Sequence, residues 1–246
     1  MRHTALTTTV LCLAAAVGLT ACGSSQDDKP KAPFADDSGP EIVDKAVKAT
    51  TGATSLTVKG DVTDPEMGAL TLDLALDTKG ECAGTLSMAG EGSAELIRTG
   101  DTFYMKFDEK FLRAQAKGEP KEQTDATVNM LGGRWVKTKA TGDDSEDLAA
   151  LCDLDELLAE FKGVKSPARK GKTTTVDGKK AITLTEDDGK DRYLIQVATE
   201  GKPYLLKVTN EGAKEPETLT FTDYDQPVDA KAPADKDVLD LDELDG

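Results

Sequence analysis

The stretch Leu70-Thr-Leu-Asp-Leu-Ala-Leu-Asp77 places Leu70, Leu72, Leu74 and Leu76 at every second position, with Thr71, Asp73, Ala75 and Asp77 between them. Successive side chains of a strand point to opposite faces, so this pattern reads as a strand with one face on a core. The same rhythm continues on both sides. Leu56, Val58 and Val62 precede it with polar neighbours, and Cys82, Gly84, Leu86 and Met88 follow. Ser93 to Arg98 is a shorter run, and Gly100-Asp101 turns the chain into Phe103, Met105 and Phe107. Strands separated by tight turns predict an antiparallel meander.

Beyond the meander the period changes. After Pro40, Ile42, Val43, Ala46, Val47 and Ala49 recur at helical spacing, with Gly52 as a stop. Asp108 to Gln115 and Lys121 to Leu131 carry helix-like or irregular patterns, and Gly133-Arg-Trp-Val-Lys reads as a short strand. Ser145 to Phe161 puts Leu148, Leu151, Cys152, Leu154, Leu157, Leu158 and Phe161 on one helical face. Strands resume at Val164 to Val176, Ala181 to Thr185, Arg192 to Thr199, Tyr204 to Asn210 and Leu219 to Tyr224, punctuated by Asp177-Gly178 and Asp188-Gly189. The expectation is an α+β domain over 40–226, with about ten or eleven antiparallel strands and a few helices on one face of a curved sheet. Residues 227–246 read as an acidic, partly docked C-terminal segment.

The N-terminus reads as an address. Arg2 precedes an uncharged apolar stretch, Ala5 to Gly18, that is shorter than the roughly 20 residues of a bilayer span, as in a signal peptide over 1–21. Leu19-Thr20-Ala21-Cys22 resembles the lipobox of bacterial lipoproteins, in which the cysteine thiol receives a diacylglycerol and becomes the new N-terminus. Cys22 is therefore the expected lipid anchor, on the outer face of the cell membrane. The polar run 22–39 would be a tether reaching about 25 Å.

Charge and composition exclude several functions. The 246 residues carry 30 Lys and Arg against 46 Asp and Glu, a formal charge of -16, and the basic residues are scattered. Nucleic acid, which needs clustered cations, is not an expected partner. The one histidine, His3, lies in the leader, so the mature chain has no imidazole for Ser-His-Asp or Cys-His catalysis or for the usual zinc and iron sites. Six Phe, four Tyr and one Trp leave little for the aromatic platforms of a glycosidase cleft. Ala89-Gly-Glu-Gly lacks the third glycine and the Lys-Ser/Thr of a phosphate loop. The acidic clusters Asp143-Asp144-Ser-Glu-Asp147 and Asp240-Leu-Asp242-Glu-Leu-Asp245 do not fit the EF-hand pattern. The first suits a helix N-terminus and the second a solubilising tail. The chain is expected to be a monomer that is not an enzyme, with no cofactor and no metal.

Cys12 leaves with the leader and Cys22 is acylated, so Cys82 and Cys152 face an oxidising compartment together. A disulfide is the expected outcome, with two unpaired buried thiols as the alternative. Closing about 70 residues would stabilise the fold by roughly 4 kcal/mol in the loop-entropy model. A redox pair would need a Cys-x-x-Cys proximity, which is absent.

Gly100-Asp-Thr-Phe-Tyr-Met-Lys, Gly133-Arg-Trp-Val-Lys and Leu219-Thr-Phe-Thr-Asp-Tyr-Asp-Gln-Pro-Val-Asp-Ala-Lys-Ala-Pro233 together resemble the LppX/LprAFG family of bacterial cell-envelope lipoproteins. The Tyr-Asp-Gln-Pro-Val segment is the most specific part. The resemblance implies a curved antiparallel half-β-barrel, similar to the LolA and LolB carriers, with helices covering its concave face over an apolar cavity for acyl chains. The lining would then include Leu70, Leu72, Leu74, Leu76, Leu86, Met88, Phe103, Met105 and Phe107, the two methionines suiting variable chains. The partners implied are the membrane, through the diacylglyceryl cysteine, and a lipid or other amphiphile. The same residues could equally form a filled core, in an interaction or sensory lipoprotein that uses its acidic surface against another protein.

Overall fold

The computed structural model describes residues 32–64, 68–140, 146–159, 166–212 and 217–241. The leader, Cys22, most of the tether, residues 143–145, Phe161 and the last five residues lie outside the described residues. Residues Pro33–Gly246 form one unit.

Helix α1 (Gly39–Thr51) opens it. Ser38 caps the helix in a reciprocal box: its Oγ accepts from the Glu41 amide, and the Glu41 carboxylate accepts from the Ser38 amide at 2.7 Å. The Ser38 amide, with its hydroxyl, holds the Glu41 carboxyl below its ordinary range. Ile42, Val43 and Ala46 are buried from this helix, as the spacing predicts. Folding reaches further back than the sequence suggests. Phe34, within the stretch assigned to the tether, packs against the core, and Asp37 pairs with Lys45.

Strands β1 (Ser55–Asp64), β2 (Gly68–Asp77), β3 (Cys82–Met88), β4 (Gly92–Thr99), β5 (Thr102–Phe107) and β6 (Trp135–Lys139) form the expected meander. Helices α2 (Glu109–Gln115) and α3 (Lys121–Leu131) lie between β5 and β6. Then come α4 (Glu146–Leu151) and α5 (Leu154–Leu157). A second meander follows: β7 (Arg169–Val176), β8 (Lys179–Asp188), β9 (Asp191–Ala198), β10 (Leu205–Asn210) and β11 (Glu217–Thr222). A short β12 (Val238–Asp240) completes the described elements. All twelve strands belong to one sheet in the order β12-β6-β5-β4-β3-β2-β1-β11-β10-β9-β8-β7. The two meanders join where β11 pairs with β1, Phe221 opposite Val58.

The sheet is curved and unclosed, an α+β half-barrel, and backbone chemistry shows how it bends. Gly60 and Gly84 both sit in strand interiors, where a Cβ would come within 1.8 Å of the Thr218 carbonyl oxygen and within 1.9 Å of that of Asp73, respectively. Only glycine tolerates that approach, and strand glycines are where sheets coil. A bulge between Leu205 and Lys207 divides two neighbours: Leu205 joins the main core, while Leu206 joins a small separate cluster with Val176, Ala181 and Ala198.

Three elements differ from the sequence reading. The apolar stripe 145–161 is not one helix, because Asp153 breaks it: its carboxylate accepts from the Glu156 amide and starts α5 afresh. Aspartate prefers this capping geometry to a helix interior. The strand expected from Val164 begins at Arg169. The C-terminal segment adds a strand, β12, which runs parallel to β6 with Leu239 beside Val136, giving twelve strands rather than ten or eleven.

Candidate functional site: the concave apolar wall

Directly paired residues of an antiparallel ladder point to the same side, so the register can be read as rows across the helix-bearing face. One row runs Leu56, Leu76, Cys82, Arg98, Phe103. The next runs Val58, Leu74, Gly84, Leu96, Met105, Val136. Then come Gly60, Leu72, Leu86, Ala94, Phe107, and finally Val62, Leu70, Met88. All nine residues expected to line a cavity share this one face.

Burial divides them. Leu74, Leu76 and Phe103 are 1%, 0% and 0% exposed, and they belong to one core cluster with Ile42, Val43 and Ala46 of α1 and Leu154 and Leu158 at α5. Leu70 and Leu72 are each 8% exposed, whereas Leu86, Met88, Met105 and Phe107 are half-buried. Phe107 stacks on Phe111 of α2 at 5.1 Å between ring centroids. The wall therefore has a filled end and a partly open end.

A covalent bond holds the filled end. Cys82 of β3 and Cys152, between α4 and α5, form the expected disulfide, with both cysteines fully buried and their Cα atoms 5.5 Å apart. It fastens the two short helices over the sheet. Beside Cys82 the register sets Arg98, whose guanidinium carbon lies 5.5 Å from the centroid of the Phe103 ring.

The open end is wider than the sequence suggested. Val62, Ile195, Val208 and Leu219, from β1, β9, β10 and β11, are half-buried and pack against the same core. In register, Gly60 faces Leu219, Leu219 faces Val208, and Val208 faces Ile195, which carries the Leu72 and Leu86 row across the junction of the meanders. Alternation within the strands marks these residues as apolar. Only the β1–β11 pairing, between residues more than 150 apart, shows that they continue the same wall. A groove of about 460 Å³ lies at the rim of this end, lined by Val62 and Leu70 of the wall and by Asp61, Thr63, Ala69 and Thr71, which alternate with them and belong to the opposite face of the sheet.

The Tyr-Asp-Gln-Pro segment forms a corner clamp, not part of the wall. Tyr224 stacks on Tyr204, ring centroids 3.9 Å apart, and donates its hydroxyl to the Leu205 carbonyl at 2.6 Å. Asp225 accepts from Tyr204 Oη at 2.6 Å, from Lys202 at 2.9 Å and from the Thr54 amide at 2.9 Å. Those donors, Tyr204 foremost, hold the Asp225 carboxyl well below the ordinary carboxylate range. Hydrogen bonding to Tyr204 and Asp225 holds Lys202 above its ordinary value, and burial raises Tyr224. Ser55 Oγ donates to the Gln226 carbonyl, so the chain leaving β11 is tied to the start of β1.

Among the described residues, no group of three or more His, Cys, Asp or Glu is placed to hold a metal ion, and no helix is long and apolar enough to cross a membrane. The chain is similar in structure to LprF from Mycobacterium bovis, with a TM-score of 0.54 and 15% identity, covering 80% of this chain and 97% of that one. It is also similar to the Mycobacterium tuberculosis lipoprotein LppX, with a TM-score of 0.50 and 14% identity, covering 78% of this chain and 98% of the other. No protein-family model matches the chain, and no curated protein matches it. The chain thus shares with LprF and LppX a fold that the motifs between Gly100 and Pro233 already resemble, here a curved, unclosed, mostly antiparallel sheet with one apolar, helix-bearing face.

Proposed function

We propose that this protein is an extracytoplasmic lipoprotein, anchored to the outer face of the cell membrane through diacylglyceryl Cys22, that binds a lipid or other amphiphile on its concave wall. It carries or shields that molecule within the envelope as a monomer, without chemistry, cofactor or metal. The observation that supports this most is the graded burial of a single apolar face. Leu86, Met88, Met105 and Phe107 are half-buried in direct continuity with a filled core. Half-buried apolar surface of this extent favours a partner that removes it from water. Met88 and Met105 add unbranched, adaptable side chains suited to acyl chains of varied length. The lipobox at Leu19 to Cys22 and the similarity in fold to the lipoprotein LppX support the envelope location.

Native mass spectrometry with organic-extract analysis tests this reading on the soluble form beginning at Ser24, produced in a bacterial envelope and purified without detergent. Acyl species at near-stoichiometric level are expected. A single apo mass, with no uptake of added phospholipid or glycolipid, would overturn it. The fully packed end at Leu74, Leu76 and Phe103 would then favour the second reading, an interaction lipoprotein whose core is filled throughout.

A further inference from the structure

Arg98 occupies a position that neither the core nor the surface explains. Its neighbours in register, Cys82 and Phe103, are both fully buried, so an arginine stands in an otherwise apolar row. Its guanidinium lies over the Phe103 ring. One hydrogen bond is made, from Nη1 to the Ala149 carbonyl in the last turn of α4, and it is long at 3.5 Å. The Nε atom is shut off from solvent and has no partner among the described residues. No carboxylate of the described residues pairs with it, although the chain holds 46 acidic residues against 30 basic ones.

The side chain as a whole is half-buried, but its Nε–H is enclosed, and a buried donor left unpaired needs a physical explanation. The helix C-terminus offers one partial compensation, the Ala149 carbonyl, and the ring of Phe103 another. Neither uses the Nε–H. An oxyanion does: guanidinium binds carboxylate or phosphate through two parallel N–H donors, and Nε with one Nη forms such a pair. Leu76, Leu96 and Phe103 beside it are packed, so the first methylenes attached to that anion would lie along the half-buried Met105 and Phe107, which follow Phe103 on the same face of β5.

We propose that Arg98 is the recognition point for the oxyanion of an anionic amphiphile, a carboxylate or phosphate carried on an acyl chain. The inference rests on the amphiphile-binding reading above and adds the sign and chemistry of the head group. The anion enters between β4 and α4, takes the place of the Ala149 carbonyl on Nη1, and pairs with the vacant Nε. The acyl chain extends along the wall toward the half-buried end at Leu86 and Met88.

The test titrates the full chain with parinaric acid and with its uncharged methyl ester, each below its aggregation limit, and follows the polyene fluorescence. The acid is expected to bind about tenfold more tightly than the ester, the size of one charge-assisted hydrogen-bonded pair. Arg98→Gln is expected to lower binding of the acid to the level of the ester and to leave the ester unchanged, while Arg98→Lys keeps part of the preference. Equal binding of acid and ester by the unsubstituted chain would overturn the head-group assignment and leave amphiphile binding standing, without recourse to any variant. Equal weakening of both probes by Arg98→Gln would overturn it too, by showing a packing role. Saturable binding of inorganic phosphate, lost in Arg98→Gln and accompanied by no preference between acid and ester, would assign Arg98 to a free anion instead. Binding of neither probe would remove the amphiphile reading and this proposal together.

Discussion

Two ends of one wall are built from the same residue types on the same face, and they differ in what covers them. At one end Leu76, Cys82 and Phe103 are fully buried beneath α1 and the short helices α4 and α5, the latter pinned by the Cys82–Cys152 bond. At the other, Val62, Leu86, Met88 and Phe107 are half-buried. Period two within a strand decides which way a side chain points. The cover laid over it decides whether it becomes core or remains available surface. Identical chemistry thus stabilises the fold at one end and, on the reading proposed here, binds at the other.

The sharpest way to break this comparison is to truncate matched aromatic residues. Phe103→Ala should cost about 3–5 kcal/mol in denaturant unfolding, because it empties a fully packed site, whereas Phe107→Ala at the half-buried end should cost about 1–2 kcal/mol. Equal costs would show that the two ends are packed alike. Next in size is the bond that closes the filled end. Replacing Cys82 and Cys152 together with serine should lower stability by about 2–4 kcal/mol, read as a shifted urea midpoint, with uptake of an acyl probe retained at the open end. A smaller stability effect sharpens the contrast in function. Leu86→Ala and Met88→Ala should each cost about 1 kcal/mol of stability while lowering acyl-probe affinity several-fold, and Leu74→Ala should do the reverse.

The smallest effect lies at the corner clamp, outside the wall. The folded-state Asp225 carboxyl titrates below its unfolded range, so its contribution is fully present above pH about 4 and is lost as pH falls through the depressed folded value. The group is partly exposed, so solvent screening limits that contribution to about 1 kcal/mol or less. Thermal melts on acidification below pH 4 should therefore fall more steeply for the unsubstituted chain than for Asp225→Asn. Parallel pH profiles would remove the clamp assignment.

Several features were legible because they are local. The helical spacing from Ile42 to Ala49, the alternation from Leu70 to Leu76 and the Asp-Gly turns are set by the conformations of a few neighbouring residues. The break of the apolar stripe at Asp153 was also local in origin. There two signals compete, hydrophobic period and capping propensity, and the cap prevailed. The disulfide was legible by a different route, since only two cysteines remain once the leader and the lipobox cysteine are set aside. Val62, Ile195, Val208 and Leu219 were not assigned to the wall because no short-range pattern states which distant strand pairs with which.

By itself, then, the sequence determined an α+β chain of alternating strands with a short helix ahead of Gly52, the apolar face of each strand in the first meander, and a single imidazole in the whole chain, at His3. These follow from side-chain period, turn propensity and composition, all of which act within a few residues. Only the tertiary structure decided that β11 closes on β1, that a C-terminal strand extends the edge beside β6, that the apolar wall is filled at one end and half-open at the other, and that the Arg98 Nε–H is enclosed within it with no partner among the described residues. Those outcomes depend on contacts between residues far apart in the chain, where shape, cover and the satisfaction of buried donors are settled by packing and not by local propensity.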